Sequence, residues 1–177
     1  MEVVSDRNRL VAALREREVD YLAPSDAIGD PIADDMLIAS LAAHPDSRLR
    51  QALIALFLLQ PRCGRLVLPV RGQLASLAAQ ELTAFYTAAV YLQTMWRFRL
   101  KQYQEPVEKL ADYFSAELGL PVPEDEYGKA GLYALAEWQA SQSLYRFNHL
   151  SAYEGVADLV FQSLKLKRQS NELAPAS

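Results

Sequence analysis

The stretch over residues 73–104 contains neither proline nor glycine, the two residues that most often interrupt a helix. Apolar side chains recur through it at steps of three to five residues, the spacing of one helical face. These residues are Leu74, Leu77, Leu82, Phe85, Ala89, Leu92, Trp96 and Leu100. At about 1.5 Å per residue, an unbroken helix of this length is about 48 Å long. We therefore predict that it forms the central rod of a helical bundle.

Shorter helices are predicted on both sides of the rod. Apolar periodicity and helix-start and helix-stop residues place them at residues 5–19, 34–44, 46–60, 106–119, 129–147 and 151–168, with a loop over 23–33. The segment 62–72 has strand-like composition, but Pro69 makes a loop or an edge element the better prediction. The predicted fold class is all-α. We expect a single-domain helical bundle of about six to seven helices over residues 1–168, followed by a flexible C-terminal tail over residues 169–177.

Residues 37–61, "LIASLAAHPDSRLRQALIALFLLQP", contain two apolar segments that meet at His-Pro-Asp. Asp46 is a good N-cap for the second segment, and the apolar residues that follow on every face predict deep burial against the rod. They include Leu53, Ile54, Leu56 and Phe57. The stretch resembles one HEAT-type helical hairpin. No second copy follows at a period of about 40 residues, so we expect a hairpin within a bundle and not a solenoid.

Composition predicts a globular protein. The 177 residues are 51% hydrophobic and 23% charged, and this length is typical of one domain. The longest apolar run, 52–59, is much shorter than the roughly 20 residues of a membrane-spanning helix. No secretory signal is visible at the N-terminus, and the single cysteine cannot form an internal disulfide. We expect a cytoplasmic protein with no membrane partner.

The charge distribution is uneven. Residues 47–104 contain eight cations and one acid, a net charge of +7, which leaves −11 on the remainder of a chain with net charge −4. Two interpretations stay open: the acidic flanks neutralise the basic middle, or the middle binds an anionic partner. The second would use five arginines within 24 residues that contain no acid, to bind nucleic acid or an anionic ligand. They are Arg48, Arg50, Arg62, Arg65 and Arg71.

A second candidate surface is the stretch "WRFRLKQY", with Trp96, Arg97, Lys101 and Tyr103. Interleaved aromatic and basic residues are typical of surfaces that bind single-stranded nucleic acid. On a helix, however, alternation by two does not bring all of these residues to one face. Cations near a helix C-terminus also have an ordinary structural role, because they interact favourably with the helix dipole.

Catalytic signals are weak. The sequence has two histidines and one cysteine, and it contains no phosphate-binding loop, nucleophile elbow or metal-ligand spacing. The best polar cluster is Asn148, His149, Tyr153 and Glu154 at a predicted helix start. We interpret it as capping chemistry, with Ser151 and Glu154 as a capping box; an enzyme site near His149 is a third alternative.

The function that we expect from these patterns is a non-catalytic protein–protein interaction module or an accessory subunit of a bacterial-type cytosolic assembly. High apolar content, charge asymmetry and missing catalytic motifs favour it. Its partner would be another protein or a second copy, with no cofactor and no metal. Nucleic-acid or anionic-ligand binding through residues 48–71 is the alternative.

Overall fold

A computed structural model describes residues 3–20, 22, 30–104, 107–142 and 147–173. Within these ranges the protein has seven α-helices, two short 3₁₀ turns and no strand, which confirms the prediction of an all-α bundle. The helices are α1 Arg7–Glu16, α2 Asp34–Ala43, α3 Ser47–Leu59, α4 Val67–Arg71, α5 Ser76–Lys101, α6 Lys129–Ser141 and α7 His149–Leu173. The 3₁₀ turns are Pro61–Leu66 and Asp125–Gly128.

Helix α5 is the predicted rod, although it is shorter at both ends than the sequence indicated. Its 26 residues correspond to about 39 Å. Its central part is buried on every face, because α2, α3, α4 and α6 all pack along it. Leu53, Ile54, Leu56 and Phe57 of α3 are fully buried, as predicted. One continuous apolar core joins Leu10 in α1 to Leu164 in α7.

The starts of α1 and α3 follow local sequence rules. The Asp46 carboxylate accepts a hydrogen bond from the Arg48 N–H at 2.9 Å, and Asp6 caps α1 in the same way. Together α2 and α3 form the predicted helical hairpin over residues 37–61.

The start of α7 differs from the prediction. The helix begins at His149, and the side-chain oxygen of Asn148 accepts from the Ser151 N–H at 3.0 Å. The expected capping box of Ser151 and Glu154 is therefore wrong, because both residues already lie inside the first turns. At its other end α7 continues to Leu173, through positions where we expected the tail to begin. Residues 174–177 lie outside the described ranges.

Residues 107–120, which we call the strap, contain no helix, so the helix predicted over 106–119 is wrong for its described part. The side chain of Gln93 in α5 donates to the Glu108 carbonyl at 2.9 Å and accepts from the Leu110 N–H at 2.8 Å. Leu110 and Phe114 insert into the core. Tertiary hydrogen bonds and apolar anchors thus outweigh the local helical preference. Pro106, the proposed start of that helix, is not among the described residues.

The segment 62–72 is neither a loop nor an edge strand. It forms a 3₁₀ turn followed by the short helix α4. Pro69 lies in the first turn of α4, where its missing N–H removes no helical hydrogen bond. No single helix in the described residues has the length and hydropathy to cross a membrane. Ser47–Leu59 and Pro61–Arg71 reach that length and hydropathy only together, and a bend of 116° separates them.

Two further predictions fall partly outside the described residues. The loop expected over 23–33 is described only from residue 30 onward. The helix expected over 129–147 is α6, which ends at Ser141; residues 143–146 are not described.

Candidate functional site

Three of the five arginines of residues 48–71 contact carboxylates, and one of these, Arg50, also binds backbone carbonyls. Arg65 contacts Glu108 at 2.6 Å, and Arg71 forms a two-pronged ion pair with Glu117, one contact of which is 2.9 Å long. Both acids belong to the strap. Its Phe114 also lies under the Arg71 guanidinium at 4.8 Å.

Arg50 has a structural role at the turn between α2 and α3. Its guanidinium donates to the carbonyls of His44 and Pro45 at 2.7 and 2.8 Å and contacts Glu81 at 3.2 Å. Arg48 and Arg62 are exposed and have no acidic partner within the described part of the chain. In the acidic N-terminal flank, Asp34 pairs with Arg17 at 2.6 Å and with none of the five arginines.

The second predicted surface is divided between two sides of α5. Trp96 packs edge-on against Phe161 of α7 with ring centroids 5.7 Å apart, and Tyr103 is packed against the core. Trp96 therefore contributes to the contact between α5 and α7. Arg97 and Lys101, one helical turn apart, point away from it and line a cleft.

This cleft, which we call the basic cleft, has a volume of about 410 Å³. It lies between the C-terminal half of α5, the strap and the 3₁₀ turn before α6. Its walls are Gln93, Thr94, Arg97, Lys101, Val107, Lys109, Glu124 and Tyr127. Three cations and one carboxylate give the lining a net charge of +2.

The charges of the basic cleft are only partly compensated. Lys109 donates to Glu124 at 3.0 Å, and this hydrogen bond lowers the pKa of the Glu124 carboxyl. The Arg97 guanidinium lies over the exposed Phe98 ring at 4.6 Å. Among the described residues, neither Arg97 nor Lys101 has an acidic partner.

The far wall of the basic cleft is a left-handed turn. Glu126, Tyr127 and Gly128 have φ values of 47°, 56° and 88° in succession. Each non-glycine residue in this region costs about 1–3 kcal/mol and persists only where packing enforces it. A Cβ on Gly128 would lie 2.6 Å from the Tyr91 carbonyl oxygen, and one on Gly131 would lie 2.1 Å from the Tyr91 ring. The turn is therefore packed directly onto α5.

A second cleft of about 420 Å³ lies between α3, α5, α6 and α7. It contains the Arg50–Glu81 pair and a buried hydrogen bond from the Tyr153 hydroxyl to Gln139. Burial, together with the charge of Glu81, raises the pKa of Tyr153, so this phenol stays protonated.

His149 also lines the second cleft. Its Nε2 is enclosed and has no hydrogen-bond partner among the described residues, and burial lowers the pKa of the ring. The predicted polar cluster is thus separated: His149 and Tyr153 face the cleft, Asn148 caps α7 and Glu154 is exposed.

Other reactive groups are few. Burial, with the nearby Asp34 charge, raises the pKa of the Cys63 thiol to about 11, so it stays protonated and unreactive at neutral pH. The described residues contain no group of three side chains able to hold a metal ion.

Helix α7 carries a face whose leucines are not covered by the other residues that the structure describes. Leu159, Leu166 and Leu173 are 44%, 63% and 83% exposed, and they are spaced seven residues apart. The residues between them on this face are Gln162, Ser163, Gln169 and Ser170, which are uncharged, and the charged side chains of Glu18, Asp20 and Lys167 border the face. We call these seven residues the leucine face.

Sequence reasoning did not identify Lys109, Tyr127 or the leucine face. For the leucine face a signal was present, because leucine recurs at every seventh position from 159 to 173. For Tyr127 the two glycines at 128 and 131 indicated a close approach of backbones. Comparison with known proteins gives no relative: no family model, curated protein or solved structure matches this chain.

Proposed function

We propose that this protein is a non-catalytic interaction module that pairs with a second copy of itself through the leucine face. The observation that carries this proposal is the row of three exposed leucines at heptad spacing on a continuous 25-residue helix. Leucines at every seventh position of a folded helix occupy one of the two apolar positions per heptad that coiled-coil pairing uses, and Gln162, Ser163, Gln169 and Ser170 supply polar contacts at the other. The proposal needs no cofactor.

Charges beside the leucine face favour a parallel pair related by a two-fold axis. Asp158, Lys165 and Glu172 precede the three leucines, while serines occupy the opposite edge. In a parallel pair Asp158 lies near Ser163 of the second copy, and Lys165 lies near its Ser170. In an antiparallel pair centred on Leu166, Lys165 would lie near Lys165 of the second copy, and Asp158 would lie near its Glu172. Both contacts bring like charges together and are repulsive.

The expected affinity is modest. Covering the exposed part of each leucine contributes about 1–2 kcal/mol. The free energy gained by burying six leucines in a dimer is only slightly larger than the free-energy cost of lost translational and rotational freedom on association. Because α7 is already ordered, little further ordering is needed, and we expect a reversible dimer that dissociates on dilution.

Sedimentation velocity over about 1–300 µM, a range that brackets a micromolar Kd, tests the proposal. The wild-type protein should change from monomer to dimer, and Leu166→Glu should remain a monomer at all concentrations. The matched control is Leu77→Glu, which changes a leucine that is 72% exposed on α5, and it should dimerise like the wild type. A wild-type monomer at the highest concentration, or equal loss in both variants, would contradict it.

Two other functions have less support. Nucleic-acid binding through residues 48–71 is weakened because Arg50, Arg65 and Arg71 already contact carboxylates. An enzyme site near His149 is weakened because its Nε2 is enclosed. We also propose a cytoplasmic location, which the buried, unpaired thiol of Cys63 supports.

A further inference from the structure

We infer that the basic cleft binds a small phosphate monoester that carries a planar ring. Two features of the cleft point to this class of ligand. On one wall Arg97 and Lys101 have no acidic partner among the described residues, and on the other an exposed aromatic ring is held in a strained turn. The inference is independent of the proposed dimer, because the basic cleft and the leucine face share no residue.

The cations supply the phosphate-binding part. Arg97 and Lys101 project from successive turns of α5, and Lys109 reaches the same cleft from the strap. A guanidinium fork and two ammonium groups match the oxygens of a phosphate, and the net charge of +2 matches a doubly charged monoester. Stabilisation of the α5 dipole explains Lys101, which lies in the last helical turn, but not Arg97, which lies before it. The Lys109 ammonium already donates to Glu124, and its two other N–H donors are available to a phosphate oxygen.

Tyr127 supplies the ring-binding part. Its backbone is in the left-handed region, and its side chain is 70% exposed. Because the Tyr127 side chain is exposed, its burial does not offset the strain of its backbone. The next residue, Gly128, is different, since its lack of a side chain allows the close contact with α5. Strain that presents a side chain to a cleft is a feature of ligand sites. Together with the Val107 side chain, the phenol ring offers a flat apolar surface on which a planar ring can stack.

The size of the cleft agrees with a small ligand. A volume of about 410 Å³ lies within the range of roughly 300–1,000 Å³ that is typical of small-molecule sites. A nucleoside monophosphate has the required parts, namely one phosphate and one planar ring. Adenosine monophosphate (AMP) is therefore a suitable probe.

Isothermal titration calorimetry at about 50 mM salt tests the inference, because phosphate contacts are strong at low ionic strength. We expect saturable binding of AMP, with adenosine and inorganic phosphate each bound at least about tenfold more weakly. Higher salt should weaken the binding of AMP more than that of adenosine. Undetectable binding of AMP, or equal binding of adenosine, would overturn the inference.

Variants locate the site. Arg97→Ala/Lys101→Ala should weaken AMP binding by about tenfold or more. The matched control Arg48→Ala/Arg62→Ala removes two exposed arginines with the same charge change and should bind AMP like the wild type. Tyr127→Asn removes the ring but tolerates the left-handed backbone, and it should weaken AMP binding while leaving phosphate binding unchanged.

Two results from these variants would overturn the inference. One is equal loss of AMP binding in both double variants, which would indicate a diffuse charge effect. The other is binding of a single-stranded ten-nucleotide DNA that depends on Arg97 and Lys101 when AMP does not bind, which would identify a nucleic-acid surface. Circular dichroism should show the wild-type helix content in every variant, because all five altered side chains are exposed.

Discussion

The arginine-rich segment over residues 48–71 and the basic cleft are both rich in cations, but they differ in how many of those cations are paired with carboxylates. In the first, Arg65 and Arg71 are matched by Glu108 and Glu117 of the strap. In the second, Arg97 and Lys101 have no acidic partner among the described residues. The difference shows that a positive segment in a sequence is not yet a positive surface, because distant carboxylates decide which cations remain available.

The strap contributes to both regions. Glu108 neutralises Arg65, whereas the next residue, Lys109, adds a cation to the basic cleft. Gln93 fixes this arrangement by holding the backbone of Glu108 and Leu110 from inside the core. One irregular segment therefore removes charge from one side of the molecule and concentrates it on another.

The largest effect is expected from Gly128→Ala, which changes the wall of the basic cleft. The new Cβ would lie 2.6 Å from a backbone oxygen of α5, and alanine is strained at a φ of 88°. We expect a loss of about 2–5 kcal/mol in the free energy of unfolding, measured by urea denaturation, together with loss of AMP binding.

The matched control for this change is Gly119→Ala. Gly119 also has a positive φ, of 66°, but nothing lies within 4 Å of the added Cβ. Its cost should be limited to backbone strain, about 1–2 kcal/mol. Equal losses in the two variants would show that contact with α5 does not hold the turn.

A somewhat smaller effect is expected from Gln93→Met, which keeps the side-chain length but removes both hydrogen bonds to the strap. The Glu108 carbonyl and the Leu110 N–H lose their partner, and a buried polar group left unpaired costs about 1–3 kcal/mol. We expect destabilisation by about 2–4 kcal/mol in urea denaturation and faster amide hydrogen exchange at Leu110. The control is Thr94→Val at the adjacent position, which removes a hydrogen bond from the Thr94 hydroxyl to the Val90 carbonyl of the same helix. It should lower the free energy of unfolding by less than about 1 kcal/mol.

The smallest effect on stability is expected from Glu108→Gln/Glu117→Gln, which releases Arg65 and Arg71. Solvent-exposed ion pairs contribute about 0–1 kcal/mol each, so the fold should persist. Elution from a heparin column should nevertheless shift to higher salt than for the control Glu137→Gln/Glu154→Gln, which removes two exposed acids elsewhere. Identical elution of the two variants would mean that the strap does not mask the arginine-rich segment.

Much of the fold could be predicted because it depends on local rules. The absence of proline and glycine around α5, the Asp46 cap and the apolar faces of α3 all act within a few residues of the chain. Local rules failed at the strap, where the interactions come from Gln93, 15 and 17 positions earlier. At the start of α7 two local capping signals lie side by side, and Asn148 is the cap and not Ser151.

For the candidate site too, some features follow from the sequence and others depend on tertiary contacts. By itself the sequence determined the helical class, the central rod, the burial of α3 and the excess of positive charge between residues 47 and 104. Only the tertiary structure decided that Arg65 and Arg71 are neutralised, that the partly buried Trp96 packs against Phe161, and that Lys109 and Tyr127 join Arg97 around one cleft. The physical reason is that helix formation depends on neighbours within about four residues, whereas charge pairing and cleft formation depend on groups that meet only after the chain has folded.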